Sequence, residues 1–225
     1  MGIFTNGFFL RKNPRMLLRT NHILTVVGKT SMNNKPLLEY INKFINLTVE
    51  EENILLSKIV HRNYLKGQYI AQQGDICKSV NFIISGCTKT FYMDLEGQEH
   101  IVMFAIEDWW TSDLGSFITQ TPADFNVQCI ESTQLIQFTY DNLEELYKEI
   151  PKLERLFRKI VERAFAASQK RIIRNFSLTA KERYQIFKKT NPKIDQRVPQ
   201  YMIASYLGVT KEFLSKIKSQ IIQSQ

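Results

Sequence analysis

Apolar positions change their spacing along this chain, and each change marks a different kind of element. From Pro36 to about Val60, Leu37, Leu38, Ile41, Phe44 and Ile45, then Ile54, Leu55 and Ile59, recur at helical intervals. Thr48 before Glu50, Glu51 and Glu52 reads as an N-cap, so two short helices are expected. After Arg62, short β-prone runs cover 64–70, 80–85, 87–93, 100–105, 127–130 and 134–139. Glycine turns punctuate them at Lys66-Gly67, Gln73-Gly74-Asp75, Ser85-Gly86 and Glu96-Gly97, the rhythm of an antiparallel sandwich or barrel. Helix resumes at Asp141, expected to cap it with Glu144 completing a capping box, and Pro151 suits the first turn of a longer one. There Leu153, Leu156, Phe157, Ile160, Ala164, Ala167 and Ile172 keep an apolar seam to about Phe176, roughly 39 Å at 1.5 Å per residue.

The last stretch, 200–219, reads as two short helices hinged at Gly208. Ile203, Leu207, Val209, Leu214 and Ile217 supply an interior, Ala204 permits close helix contact, and Thr210 caps the second helix. Lys211, Glu212, Ser215, Lys216 and Ser219 fall on the opposite, polar face, where they can meet base edges and phosphates. A reader of this kind works in pairs about one DNA turn apart, so the 151–176 seam is expected to pair two copies, with packing on the chain's own sheet as the alternative.

Charge adds weight to that reading. Residues 32–150 hold 8 Lys+Arg against 17 Asp+Glu, whereas 151–176 hold 8 against 2 and 177–225 hold 9 against 3, so affinity for phosphate is concentrated in the C-terminal third. Residues 1–31 carry five basic side chains and no acid. They are expected to be a basic extension outside the fold, with Met32 opening the first domain. No run of about 18 apolar residues occurs, and three scattered cysteines (Cys77, Cys87, Cys129) suit a reducing compartment. A soluble, cytoplasmic chain with no membrane segment is expected. His22, His61 and His100 include no pair at metal-ligand spacing, which argues against a metal site and against a cupin-like enzyme.

Four segments together carry a resemblance: Lys66-Gly67-Gln-Tyr-Ile-Ala-Gln-Gln-Gly74-Asp75, Asn81-Phe-Ile-Ile-Ser-Gly86, Asp113-Leu-Gly115-Ser-Phe117, and Ile203-Ala-Ser-Tyr-Leu-Gly-Val-Thr-Lys-Glu-Phe-Leu-Ser-Lys216. In this order, over residues 32–225, they resemble the Crp/Fnr family of bacterial transcription regulators. Arg183-Tyr184 and Val198-Pro-Gln200 are most similar to its Bacteroidetes branch. The resemblance implies an α+β chain with a cyclic-nucleotide-binding-like jelly roll (32–150), a dimerisation helix (151–176) and a helix-turn-helix domain (177–225). It implies a homodimer bound to a two-fold related site on double-stranded DNA, no catalysis, and RNA polymerase as a further partner. An effector in the roll would shift the long helices and with them the two readers.

Within that pattern, Thr210, Lys211, Glu212, Ser215, Lys216 and Ser219 take the DNA-contacting positions. Lys216 stands where arginine is usual, which softens discrimination at guanine. With three residues after Ile222, further groove contacts are expected from Lys181, Arg183, Lys188 and Lys189 rather than from a wing. Leu153, Leu156, Phe157, Ile160, Ala164 and Ala167 are the expected dimer seam. The effector-pocket candidates are Trp110, Ser112, Asp113, Leu114, Gly115, Ala123 and Asp124. The region that carries a phosphate-binding arginine in cyclic-nucleotide-binding relatives reads Thr121-Pro122-Ala123-Asp124-Phe125, and no Arg or Lys falls between Lys89 and Lys148. A cyclic phosphate would lack its charge-assisted partner there, so no cyclic nucleotide is expected and the effector is left unassigned. Three dispersed cysteines do not make an iron–sulfur cage, and no cofactor is expected. Two alternatives stay open: a cyclic-nucleotide-responsive regulator with a non-standard pocket, and an interaction module that binds nucleic acid without sequence preference.

Overall fold

A computed structural model of the chain describes residues 33–223; the expected extension 1–31 lies outside the described residues. Two helices open the fold, α1 (Lys35–Ile41) and α2 (Val49–Lys58). The second begins in a capping box: the Thr48 hydroxyl accepts from the Glu51 amide and the Glu51 carboxylate accepts from the Thr48 amide at 2.7 Å.

Eight strands follow: β1 (Val60–Tyr64), β2 (Tyr69–Ala71), β3 (Ser79–Ser85), β4 (Thr88–Met93), β5 (Glu99–Ala105), β6 (Trp110–Thr111), β7 (Asn126–Cys129) and β8 (Thr133–Thr139). They form two four-stranded antiparallel sheets, ordered β1-β8-β3-β6 and β2-β7-β4-β5, the expected jelly roll. The run expected over 64–70 is in fact two strands separated by the Lys66-Gly67 turn. At the β3–β4 turn Gly86 sits at φ +110, and a Cβ there would lie 2.6 Å from the Thr133 Cα, so only glycine fits. A short helix, α3 (Leu114–Thr119), interrupts the roll where no helix was expected.

Helix α4 (Tyr140–Glu149) corrects the expected cap. Strand β8 runs straight into it, so Thr139, the last strand residue, is the N-cap, and its hydroxyl accepts from the Asn142 amide at 3.3 Å; Asp141 is already inside the helix. One apolar core unites Leu37, Ile41, Leu55, Phe82, Ile136, Phe138, Leu146 and Ile150. Each such side chain is worth about 1.5–3 kcal/mol over exposure.

The long helix α5 (Lys152–Ser177) has 26 residues, as expected. Helices α6 (Ala180–Thr190), α7 (Pro192–Arg197), α8 (Gln200–Leu207) and α9 (Lys211–Gln223) complete the chain. They share a second core with the roll: Tyr184, Phe187, Ile194, Met202, Ile203, Leu207, Leu214 and Ile217 cluster with Cys87, Phe91, Ile101, Phe104 and Ile106. The C-terminal helices therefore lie against strands β4 and β5 instead of hanging from a linker.

Candidate nucleic-acid interface

The turn between α8 and α9 is built as the sequence implies. Gly208 adopts the left-handed conformation (φ +68), its amide bonded to carbonyls of Ala204 and Ser205, and the Val209 amide returns to Ala204 at 3.0 Å. The Thr210 hydroxyl accepts from the Phe213 amide at 3.2 Å and caps α9. Leu214 and Ile217 are buried against α8 and α6, which leaves Thr210, Lys211, Glu212, Ser215, Lys216 and Ser219 exposed along the outer face. Neither Lys211 nor Lys216 forms a salt bridge with a described residue, so both charges are available to a polyanion.

Of the supporting basic residues, Lys188 and Lys189 are exposed and line a cleft with Tyr184, Gln185 and Ile221. Arg183 departs from expectation. Its guanidinium donates to the Leu178 carbonyl at 2.9 Å and to the Leu207 carbonyl at 3.2 Å, stitching the end of α5 to the end of α8, so both terminal nitrogens are engaged inside the protein while the buried Nε has no hydrogen-bond partner among the described residues.

The long helix divides in two. Leu153 and Leu156 are buried in the roll's own core, and Phe157 and Ile160 pack against it, with the Phe157 ring 5.2 Å from Trp110 and 5.9 Å from Phe138. These four therefore serve the subunit itself, because α5 lies along the roll for its first turns. From residue 161 to 170 every side chain is exposed, Ala164 and Ala167 included. The apolar positions free for a partner are Val161, Phe165, Ile172, Ile173 and Phe176, the last 88% exposed.

The effector-pocket candidates also separate. Trp110 stands in an aromatic cluster with Phe82, Phe138, Phe157 and Tyr40, so it packs core and receives α5. Ser112, Asp113, Leu114, Gly115, Ala123 and Asp124 belong to the segment around α3. Asp113 is only 4% exposed, and its two oxygens accept from the Ser116 amide at the start of α3 (3.0 Å) and from the Phe125 amide (2.9 Å). Ala123 is buried and pairs with the Gly74-Asp75 turn through two 2.8 Å backbone bonds, while Gly115 and Asp124 are exposed. Two backbone amides of this segment, those of Ser116 and Phe125, are thus taken by the protein's own carboxylate and not offered to an anion. Among the described residues no three His, Cys, Asp or Glu side chains converge on a metal-sized point. Burial raises the thiols of Cys77 and Cys129, and pushes Cys87 up to about 12.

Several contacts between the C-terminal helices and the roll had no signal in the sequence. The Ser205 hydroxyl donates to the Glu99 carbonyl at 2.8 Å and accepts from the Ile101 amide at 3.1 Å. Arg171 of α5 donates to the carbonyls of Val102, Ile101 and Tyr206 and lies 4.4 Å from the centre of the Tyr206 ring. Arg197 forks onto Glu107 and Glu131. Burial works to raise the Glu107 carboxyl, but hydrogen bonds from Arg197 and the Gly86 amide outweigh it and hold the group below the usual range.

A model of the cyclic nucleotide-binding domain matches residues 61–149. The transcriptional activator protein anr of Pseudomonas aeruginosa is 29% identical over 145 residues, covering 64% of this chain and 58% of that protein. Its counterpart in Pseudomonas protegens is 25% identical, covering 80% and 78%. Among solved structures, the c-di-GMP-responsive regulator CLP of Xanthomonas campestris superposes with a TM-score of 0.63 at 15% identity, covering 79% of this chain and 93% of that one. FixK2 of Bradyrhizobium japonicum gives 0.63 at 16% identity, covering 74% and 85%. These two share the fold.

Proposed function

We propose that this chain, similar to the Anr activators and carrying a cyclic nucleotide-binding domain match, is a transcription regulator of the Crp/Fnr family that binds a two-fold related site on double-stranded DNA as a cytoplasmic homodimer. The carrying observation is the division of α9: Leu214 and Ile217 are buried, while Lys211, Glu212, Ser215, Lys216 and Ser219 stand exposed with unpaired cationic charge. The bare apolar flank of α5 from Val161 to Phe176 supports pairing of two copies along that helix. No described helix is long and apolar enough to cross a membrane. RNA polymerase is a further partner of this reading wherever the bound regulator activates.

For the roll, the proposal is that no cyclic nucleotide acts as effector, because Asp113 takes the Ser116 and Phe125 amides and no Arg or Lys occurs between Lys89 and Lys148 to meet a phosphate. Selection of bound duplexes from random DNA tests the main reading. A palindromic motif with half-sites about one helical turn apart is expected, and failure to enrich any palindrome overturns it. Calorimetric titration with cyclic AMP and cyclic GMP tests the second, with saturable tight binding as the contrary result.

A further inference from the structure

Arg197, at the end of α7, presents both ends of its guanidinium to the roll. Nη1 and Nη2 donate to the two Glu107 oxygens at 2.7 and 3.0 Å, and Nη2 also reaches Glu131. Glu107 lies between β5 and β6, and Glu131 between β7 and β8. Glu107 accepts in addition from the Gly86 amide at 2.9 Å, in the turn between β3 and β4. One side chain thus ties three turns of the roll to the helices that carry α9. Further along the same junction, Ser205 holds the backbone of β5, and Arg171 bridges β5 to α8. None of this covers the reading face, whose six polar residues from Thr210 to Ser219 stay exposed.

A fork onto a carboxylate fixes an angle as well as a distance, because two parallel bonds resist rotation where a single ammonium would swivel. We propose that Arg197, together with Glu107 and Glu131, is a positioning clamp that sets the orientation in which the roll presents α9 to DNA. The reader then moves with the β2-β7-β4-β5 sheet and does not swing on a free joint. This rests on the DNA-reading proposal for one of its two measurements only.

The sharpest variant is Glu107→Gln, because electrostatics and positioning predict opposite signs. Removing a negative charge by itself tightens binding to a polyanion, whereas loss of the clamp weakens it. With the full chain and a duplex obtained by selection, affinity is expected to fall about tenfold, the loss for about 1.4 kcal/mol. The slope of log K against log salt is expected to stay the same, since no phosphate contact is lost. In DNA-free protein the Ile101 amide, whose acceptor is Ser205 across the junction, is expected to exchange faster with solvent while the amides of β8 keep their protection.

Arg197→Lys keeps the charge and loses the fork; it is expected to move both readouts in the same direction by less, and it carries the test if Glu107→Gln loses protection in β8 and so fails to fold. Unchanged or tighter DNA binding, or unchanged exchange at Ile101, would each overturn the clamp. Should the chain select no DNA, the exchange measurement still decides whether the clamp holds the junction, so the two failures are told apart.

Discussion

The segment around α3 and the outer face of α9 are both rich in polar groups at the start of a helix, yet they are wired in opposite ways. Around α3, Asp113 spends both oxygens on the Ser116 and Phe125 amides, and Ser116 in turn accepts from the Cys77 amide and donates to the Thr121 carbonyl. On α9 the Thr210 cap is spent, but Lys211, Glu212 and Lys216 reach outward with no salt bridge to a described residue. Polar groups already matched inside a fold have little to gain from a ligand, whereas unmatched charge on a rigid helix gains from one. On the proposed reading, the segment around α3 is scaffold and the outer face of α9 is where DNA meets the protein.

Three substitutions would break or sharpen that contrast. The largest effect is expected from Phe165→Asp, in the stretch of α5 where all side chains are exposed in a single subunit. If two such seams meet, two carboxylates enter an apolar contact, and association should weaken by roughly 4 kcal/mol, seen as a monomeric particle in sedimentation with an unchanged far-ultraviolet spectrum. A particle that remains dimeric would place the pairing surface elsewhere.

Next comes Asp113→Ala, which removes a helix cap and leaves the Phe125 amide without its acceptor. A loss of about 2–3 kcal/mol in urea unfolding is expected, with DNA affinity of the folded protein unaltered. Gain of cyclic-nucleotide binding by this variant would show that Asp113 plugs a usable site, and the contrast would shrink. Smallest is Lys216→Ala: about 1 kcal/mol less DNA affinity and a salt slope lower by about one, with the melting temperature unmoved because the side chain is exposed. A variant that binds as before would remove Lys216 from the reading face.

The two opening helices, most strands of the roll, α4, α5 and the α8–α9 pair were legible because each leaves a local periodic trace, whereas β6, α6 and α7 were not foreseen. Gly86 and Gly208 stand where the backbone needs positive φ, and Leu214 with Ile217 repeats at helical spacing. The helix α3 was not legible: six residues with a glycine inside carry too little periodicity. What the apolar stripe of α5 meets was only half legible. Leu153 and Leu156 continue the same stripe as the exposed positions beyond them, and where the helix leaves the roll is decided by tertiary packing, not by the pattern. Arg171, Arg183 and Arg197 were invisible as internal contacts. They sit in a basic stretch that reads as solvated or DNA-facing, and the acceptors of Arg197 are 66 and 90 residues away.

Between Ile160 and Arg171, which ties α5 to β5 and α8, the helix crosses about 15 Å as ten exposed residues, with Val161 and Phe165 bared along it. If two copies pair along this span, as proposed, a lone subunit carries it unprotected, and its lifetime is tied to how soon it meets a twin. Melting temperature should accordingly climb with protein concentration. In a cell, a scarce supply of the chain would leave it open to proteases, which makes abundance itself a control on how much working regulator there is.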